Sequence, residues 1–110
     1  MLKAYIWAMP YEIMLVSSAK EDLKSLRKTD QVKVLDRIEM HLVYEPSRQS
    51  KSRIKRLRGD LFPPFRLRVD EFRVYYDVDE AANKVIIYGV IRKEDAVAWL
   101  GQKIVKRREE

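Results

Sequence analysis

Three arginines stand at strand spacing in the middle of the chain: Arg66 and Arg68 in Phe65-Arg-Leu-Arg-Val69, and Arg73 in Phe72-Arg-Val-Tyr-Tyr-Asp-Val78. Alternation puts Phe65, Leu67 and Val69 on one face of a strand and both arginines on the other. The same rule turns Phe72, Val74, Tyr76 and Val78 inward and Arg73, Tyr75 and Asp77 outward. With Asp70-Glu71 as a two-residue hairpin loop, Arg68 meets Arg73 and Arg66 meets Tyr75 across the ladder. Like charges directly opposite cost on the order of 0.2–1 kcal/mol. Such a face is poorly arranged for its own stability and well arranged for polyphosphate. Guanidinium forks bind phosphate bidentately, and a tyrosine ring can stack a base.

The charge balance agrees. The chain has 110 residues, 23 of them Lys or Arg and 17 Asp or Glu, for a net charge of +6. The segments before Arg48 and after Arg73 are each neutral, so the whole surplus lies between those two residues. Arg53, Lys55, Arg56 and Arg58 precede the strand pair and are expected to extend the basic patch toward an anionic polymer. Without cysteine there is no disulfide framework, thiolate metal site or Cys nucleophile. A single histidine, His41, excludes a paired-His ribonuclease and most zinc sites; it reads as a boundary residue. Asp77, Asp79 and Glu80 read as a solvated turn, and Gly89 and Gly101 form no phosphate-cradling loop. No metal or other cofactor is expected. The apolar run Val85 to Ile91 is far shorter than the roughly 20 residues of a membrane helix, and Met1 to Pro10 lacks the features of a secretory signal. These features predict a soluble, cytoplasmic, single-domain protein.

The elements that must position the arginines follow from periodicity. Residues 1–10 read as an N-terminal extension in which Tyr5 and Trp7, with Tyr11 beyond it, pack on the domain. Residues 11–105 read as the domain itself and 106–110 as a frayed tail. Tyr11 to Val16 is strand-like. Ser18 with Glu21 fits a capping box opening a helix to Leu26. A second helix follows a cap at Thr29 or Asp30, carries the stripe Leu35, Ile38 and Leu42 with Val32 and Val34, and stops before Pro46. Ile54, Leu57 and Leu61 anchor an irregular or strand-like link. Two alternating strands come next, then a more fully buried strand over Lys84 to Ile91 and a terminal helix over Glu94 to Val105. Helices grouped before antiparallel strands predict an α+β two-layer sandwich, with an N-terminal helical hairpin on one sheet face and the other face open.

The segment from Arg66 to Val78 resembles the signature strand pair of the RelE/ParE superfamily of toxins, found in bacterial and archaeal type II toxin–antitoxin modules. The helix Ser17 to Leu26 (Ser-x-Ala-x-x-Asp-Leu-x-x-Leu), the second helix ending near a proline and the basic link stand in the family's order, from about Tyr11 to Leu100. The resemblance implies an antitoxin partner and one of two activities. RelE-like members bind the ribosomal A site and cleave mRNA without a metal; ParE-like members inhibit DNA gyrase and have no nuclease site. A degenerate member would bind its antitoxin alone.

By the same resemblance, Arg66 and Arg68 match strand positions that are lysines in RelE-like enzymes, and Arg73 matches the arginine that stabilises the transition-state phosphate. Arg92 or Lys93 matches a C-terminal basic residue, and Trp99 stands where those enzymes have a tyrosine. Arginine is a poor general base because its guanidinium stays protonated, and an indole offers no phenolic proton. Lys93 is left as the candidate for proton transfer.

Overall fold

The structure, a computed structural model, describes residues 9–109, with side chains through residue 102; Tyr5 and Trp7 lie outside the described residues. Strand β1 (Glu12–Leu15) runs into helix α1 (Ser17–Lys24), followed by α2 (Lys28–Leu42) and the short strand β2 (Ile54–Arg56). Strands β3 (Phe65–Val69), β4 (Phe72–Asp79) and β5 (Lys84–Arg92) form a meander. A single turn of 3-10 helix, Lys93–Asp95, leads into α3 (Ala96–Glu109). Among the described residues the sheet order is β1-β5-β4-β3-β2, antiparallel except for the β1–β5 pair. The fold is α+β, and no helix is long and apolar enough to cross a membrane among the described residues.

One sheet face packs on the helical hairpin. Leu67, Val69, Phe72, Val74, Tyr76, Val85 and Ile87 are buried there against Ala19, Val34, Ile38 and Leu42. The Tyr76 hydroxyl donates to the Pro46 carbonyl (2.6 Å) and ties the end of the hairpin to the core. The apolar stripe of α2 is Val34, Ile38 and Leu42, one turn apart, so Leu35 and Val32 face outward instead of joining the core. β1 pairs only with Lys84–Ile87. Beyond it, the Val90 N–H donates to Asp22 Oδ2 of α1 (3.0 Å).

Both expected helix caps differ from what the chain does. α1 begins directly after Val16, with no side-chain cap, because the Val16 N–H is held by the Ile87 carbonyl (3.1 Å) and the chain turns straight from strand to helix. α2 begins at Lys28, so Thr29 and Asp30 are already helical. Asp30 is buried in the first turn, beside Arg27 and Lys33 (3.8 and 4.0 Å), where a carboxylate favours the helix dipole.

The second sheet face is not open. Tyr75, Ile91 and Ala96 form a small apolar cluster there, with Leu57, Trp99 and Leu100 packed against it. α3 and the link after β2 therefore cover part of the face that alternation had left bare.

Candidate functional site

The β3–β4 hairpin turns through Asp70 and Glu71, with Asp70 at φ 52°, a left-handed conformation that Asp tolerates better than most residues. Its register sets Arg68 opposite Arg73 and Arg66 opposite Tyr75. Partners across a ladder share a face, so two rows cross the second face. Lys55, Arg66, Tyr75 and Gly89 make one; Arg68, Arg73 and Ile91 make the other.

The cluster is cationic and carries no ion pair among the described residues. Asp70 is turned to Lys33 of α2 (3.1 Å), and Glu71 lies 3.9 Å from Arg92. Arg73 is 6% exposed, and its Nη1 donates to the carbonyls of Asp70 and Phe72 (2.8 Å each), bracing the turn. Burial, and then the neighbouring charges of Arg68 and Arg66, push its guanidinium below the usual value. Arg66 Nε is buried and finds no hydrogen-bond partner among the described residues. A buried donor without an acceptor costs about 1–3 kcal/mol, so Arg66 is held in place at a local cost.

Tyr75, expected to face out, is buried under Trp99. The two rings stack with centroids 4.9 Å apart and planes 22° apart. Gly89 makes the approach feasible, since a Cβ there would lie 2.4 Å from Trp99 Cζ2. Burial raises the Tyr75 pKa, while Arg66 and Arg73 pull it back. Gly89 and Ile91 were not among the expected site residues, although a lone glycine inside a strand is itself a sign of close approach.

Other expected residues go elsewhere. Arg56 faces the helix side, with Cζ 5.1 Å from the Phe65 ring centroid. Arg53 lines a cleft with His41, Tyr44 and Arg48. Arg58 is exposed in the link. Arg92 pairs with Phe72 in the ladder and lies 5.1 Å over its ring, on the face away from Arg73. Lys93 is exposed at the start of the 3-10 turn, its N–H held by the Glu71 carbonyl (2.7 Å). Of the basic link, Lys55 alone joins a row with Arg66. Among the described residues, no group of three or more His, Cys, Asp or Glu could hold a metal ion.

No family model matches the sequence, and no curated protein matches it. Solved structures do. A chain of the toxin–antitoxin complex RelBE2 from Mycobacterium tuberculosis is 27% identical, with a TM-score of 0.67 over 76% of this chain and 92% of that one. The chain is RelE-like. A chain of the archaeal RelE–RelB complex from Pyrococcus horikoshii OT3 is 25% identical, with a TM-score of 0.62 over 76% and 94% of the two chains. The isolated Escherichia coli RelE toxin shares the fold at 19% identity, with a TM-score of 0.60 over 88% and 97%. In the RelE-like chain, the arginine rows and the Trp99 roof lie on the sheet face opposite the helical hairpin.

Proposed function

We propose that this RelE-like chain is the toxin of a type II toxin–antitoxin module and an endoribonuclease that cuts mRNA at the ribosomal A site until an antitoxin neutralises it. The observation that carries the reading is the trio Arg66, Arg68 and Arg73, held together without a carboxylate partner among the described residues. In metal-free cleavage the 2′-oxygen attacks phosphorus and the bond to the 5′-oxygen breaks. One proton leaves the 2′-hydroxyl and another reaches the 5′-oxygen. Charge builds on the phosphoryl oxygens between these events, and preorganised cations stabilise it. Arg66 and Arg68 grip and neutralise the phosphate; Arg73, whose Nη1 braces the turn, adds its charge beside the phosphoryl oxygens in the transition state. Proton transfer falls to Lys55, beside Arg66 in the ladder, or to Lys93.

Primer extension on cellular mRNA after induction tests this reading. Codon-linked cuts are expected with the wild-type protein. They are expected to fall at least about 100-fold with Arg73→Ala, the scale of losing one transition-state donor, while circular dichroism shows the variant folded. Unchanged cutting by a folded Arg73→Ala protein would reject it.

A second reading has its own support. Tyr75 is covered and Arg73 Nη1 is engaged by backbone, which suits a protein-binding module such as a ParE-like gyrase inhibitor. Inhibition of gyrase supercoiling by purified protein, with no mRNA cuts, would favour it.

A further inference from the structure

Beyond the arginine rows the second face changes chemistry. Asp77 follows Tyr75 by two residues on β4 and shares its side of the sheet. Ile86 stands opposite Asp77, and Met14 opposite Ile86. An aromatic pair adjoins this third row. Tyr88 falls in an irregularity of β5, between the Tyr76–Ile87 and Tyr75–Gly89 pairs. Its ring meets that of Phe62, in the link before β3, with centroids 4.9 Å apart and planes 68° apart. To touch, the two rings must cross β4, whose helix side is filled by Tyr76 under Pro46. Neither ring packs into the helix-side core, so the pair bridges β4 on the second face, beside Asp77.

This row is apolar, with one carboxylate and no cation. Asp77 Oδ1 accepts the Val78 N–H (2.8 Å), which orients the carboxylate and leaves Oδ2 and the spare lone pairs of Oδ1 to accept. Asp77 makes no ion pair among the described residues, and Lys84, one row further, is turned to Glu12 (3.9 Å). Phe62, Asp77, Ile86 and Tyr88 are half-buried, and Met14 is 42% exposed. Such a surface repels a phosphate and suits a base, whose ring stacks on aromatic side chains while its edge donates to a carboxylate. The row lies two residues along the sheet from Arg66, about 7 Å. That step matches the reach from a backbone phosphate to the neighbouring base.

We propose that Asp77, with Phe62 and Tyr88 as a stacking wall, reads the base beside the phosphate held by the arginines, and that it selects guanine. Guanine presents two adjacent donors, N1–H and the N2 amino group, to the two oxygens of a carboxylate. Adenine and cytosine set a ring-nitrogen acceptor next to their amino group, and uracil flanks its N–H with two carbonyls. The proposal rests on the reading of the chain as an mRNA endonuclease and gives that site a sequence preference.

Two measurements test it. In primer extension, wild-type cuts are expected to cluster beside guanosines. Asp77→Asn keeps an oxygen for the Val78 N–H but replaces the other with a donor. It is expected to lose at least about tenfold of the preference for guanosine over adenosine, the scale of one bidentate base contact. In fluorescence anisotropy with the purified wild-type protein, the probes are labelled uridine oligoribonucleotides carrying one guanosine, inosine or adenosine. The guanosine oligomer is expected to bind at least about tenfold more tightly than the adenosine one, with inosine, which lacks the N2 amino group, between them. The proposal is overturned if the three oligomers bind alike, if cuts ignore the neighbouring base, or if a folded Asp77→Asn protein keeps the guanosine preference. It also falls if the free protein is a dimer that Tyr88→Ser dissolves, which would make a second copy the occupant. Wild-type cuts without a base preference reject this inference alone, whereas an absence of cuts rejects the nuclease reading beneath it.

Discussion

The two faces of the sheet are built from the same strands and follow opposite rules. On the helix side, Leu67, Val74 and Ile87 are fully buried in one continuous apolar layer. On the other side the intervening residues, Arg66, Arg68 and Arg73, repel one another beside a small apolar cluster under Trp99. One face supplies the burial that folds the chain; the other spends part of that stability on holding cations close together. Stability and binding are therefore separable by face, which is the usual relation between a rigid scaffold and a strained site.

Leu67→Ala should have the largest effect on stability of the changes considered, about 2–5 kcal/mol, measured by urea unfolding; a loss under about 1 kcal/mol would mean the helix-side face is not the core. Gly89→Ala should come next, at about 1–3 kcal/mol, because the new methyl collides with the indole. In a Trp7→Phe background the emission of Trp99 should shift to the red as the ring leaves Tyr75, and an unshifted spectrum would argue against the stack.

A smaller effect should appear in alkali. Tyr75 and Tyr76 lie on opposite faces, and burial raises both pKa values, but Arg66 and Arg73 oppose the rise at Tyr75. A raised folded-state value contributes stability that is complete below the unfolded value of about 10 and is lost as pH climbs through the folded one. Tyr75 should ionise before Tyr76, so Tyr75→Phe should remove absorbance from a lower-pH part of the tyrosinate curve than Tyr76→Phe does. Superposable curves would contradict the contrast between the faces. Smallest of all, Arg68→Thr should stabilise the protein by about 0.2–1 kcal/mol, by removing a like-charged cross-strand pair, while weakening RNA binding. A variant that loses stability would show that the arginines support each other after all.

Much of this was legible in the residues. Period-two alternation and a two-residue loop place Arg66, Arg68, Arg73 and Tyr75 in their observed register. The place of Arg92 on the helix-side face has one physical cause. β5 carries an irregularity where Tyr75 pairs with Gly89 and Tyr76 with Ile87, leaving Tyr88 as an extra residue. A bulge flips the side-chain parity of everything beyond it, so Val90 joins the core, Ile91 moves to the second face and Arg92 leaves it. The one hint in Tyr-Gly-Val is the glycine, which inside a strand marks either a bulge or a close approach and does not say which. The burial of Tyr75 and the placement of Arg53 and Arg56 depend on where α3 and β2 dock, which is long-range information that local periodicity does not contain. The same holds for Leu35: two apolar stripes on α2 compete, and only the sheet decides which is buried.

One hydrogen bond has a consequence for how the protein behaves in a crowd. β5 outruns its neighbour β1, and a bare strand edge is a template on which another chain can add itself. The Asp22 carboxylate takes the Val90 N–H at that edge. A helix side chain thus does the work of a missing strand residue, and a single oxygen carried by α1 blunts this stretch of edge against pairing with another chain.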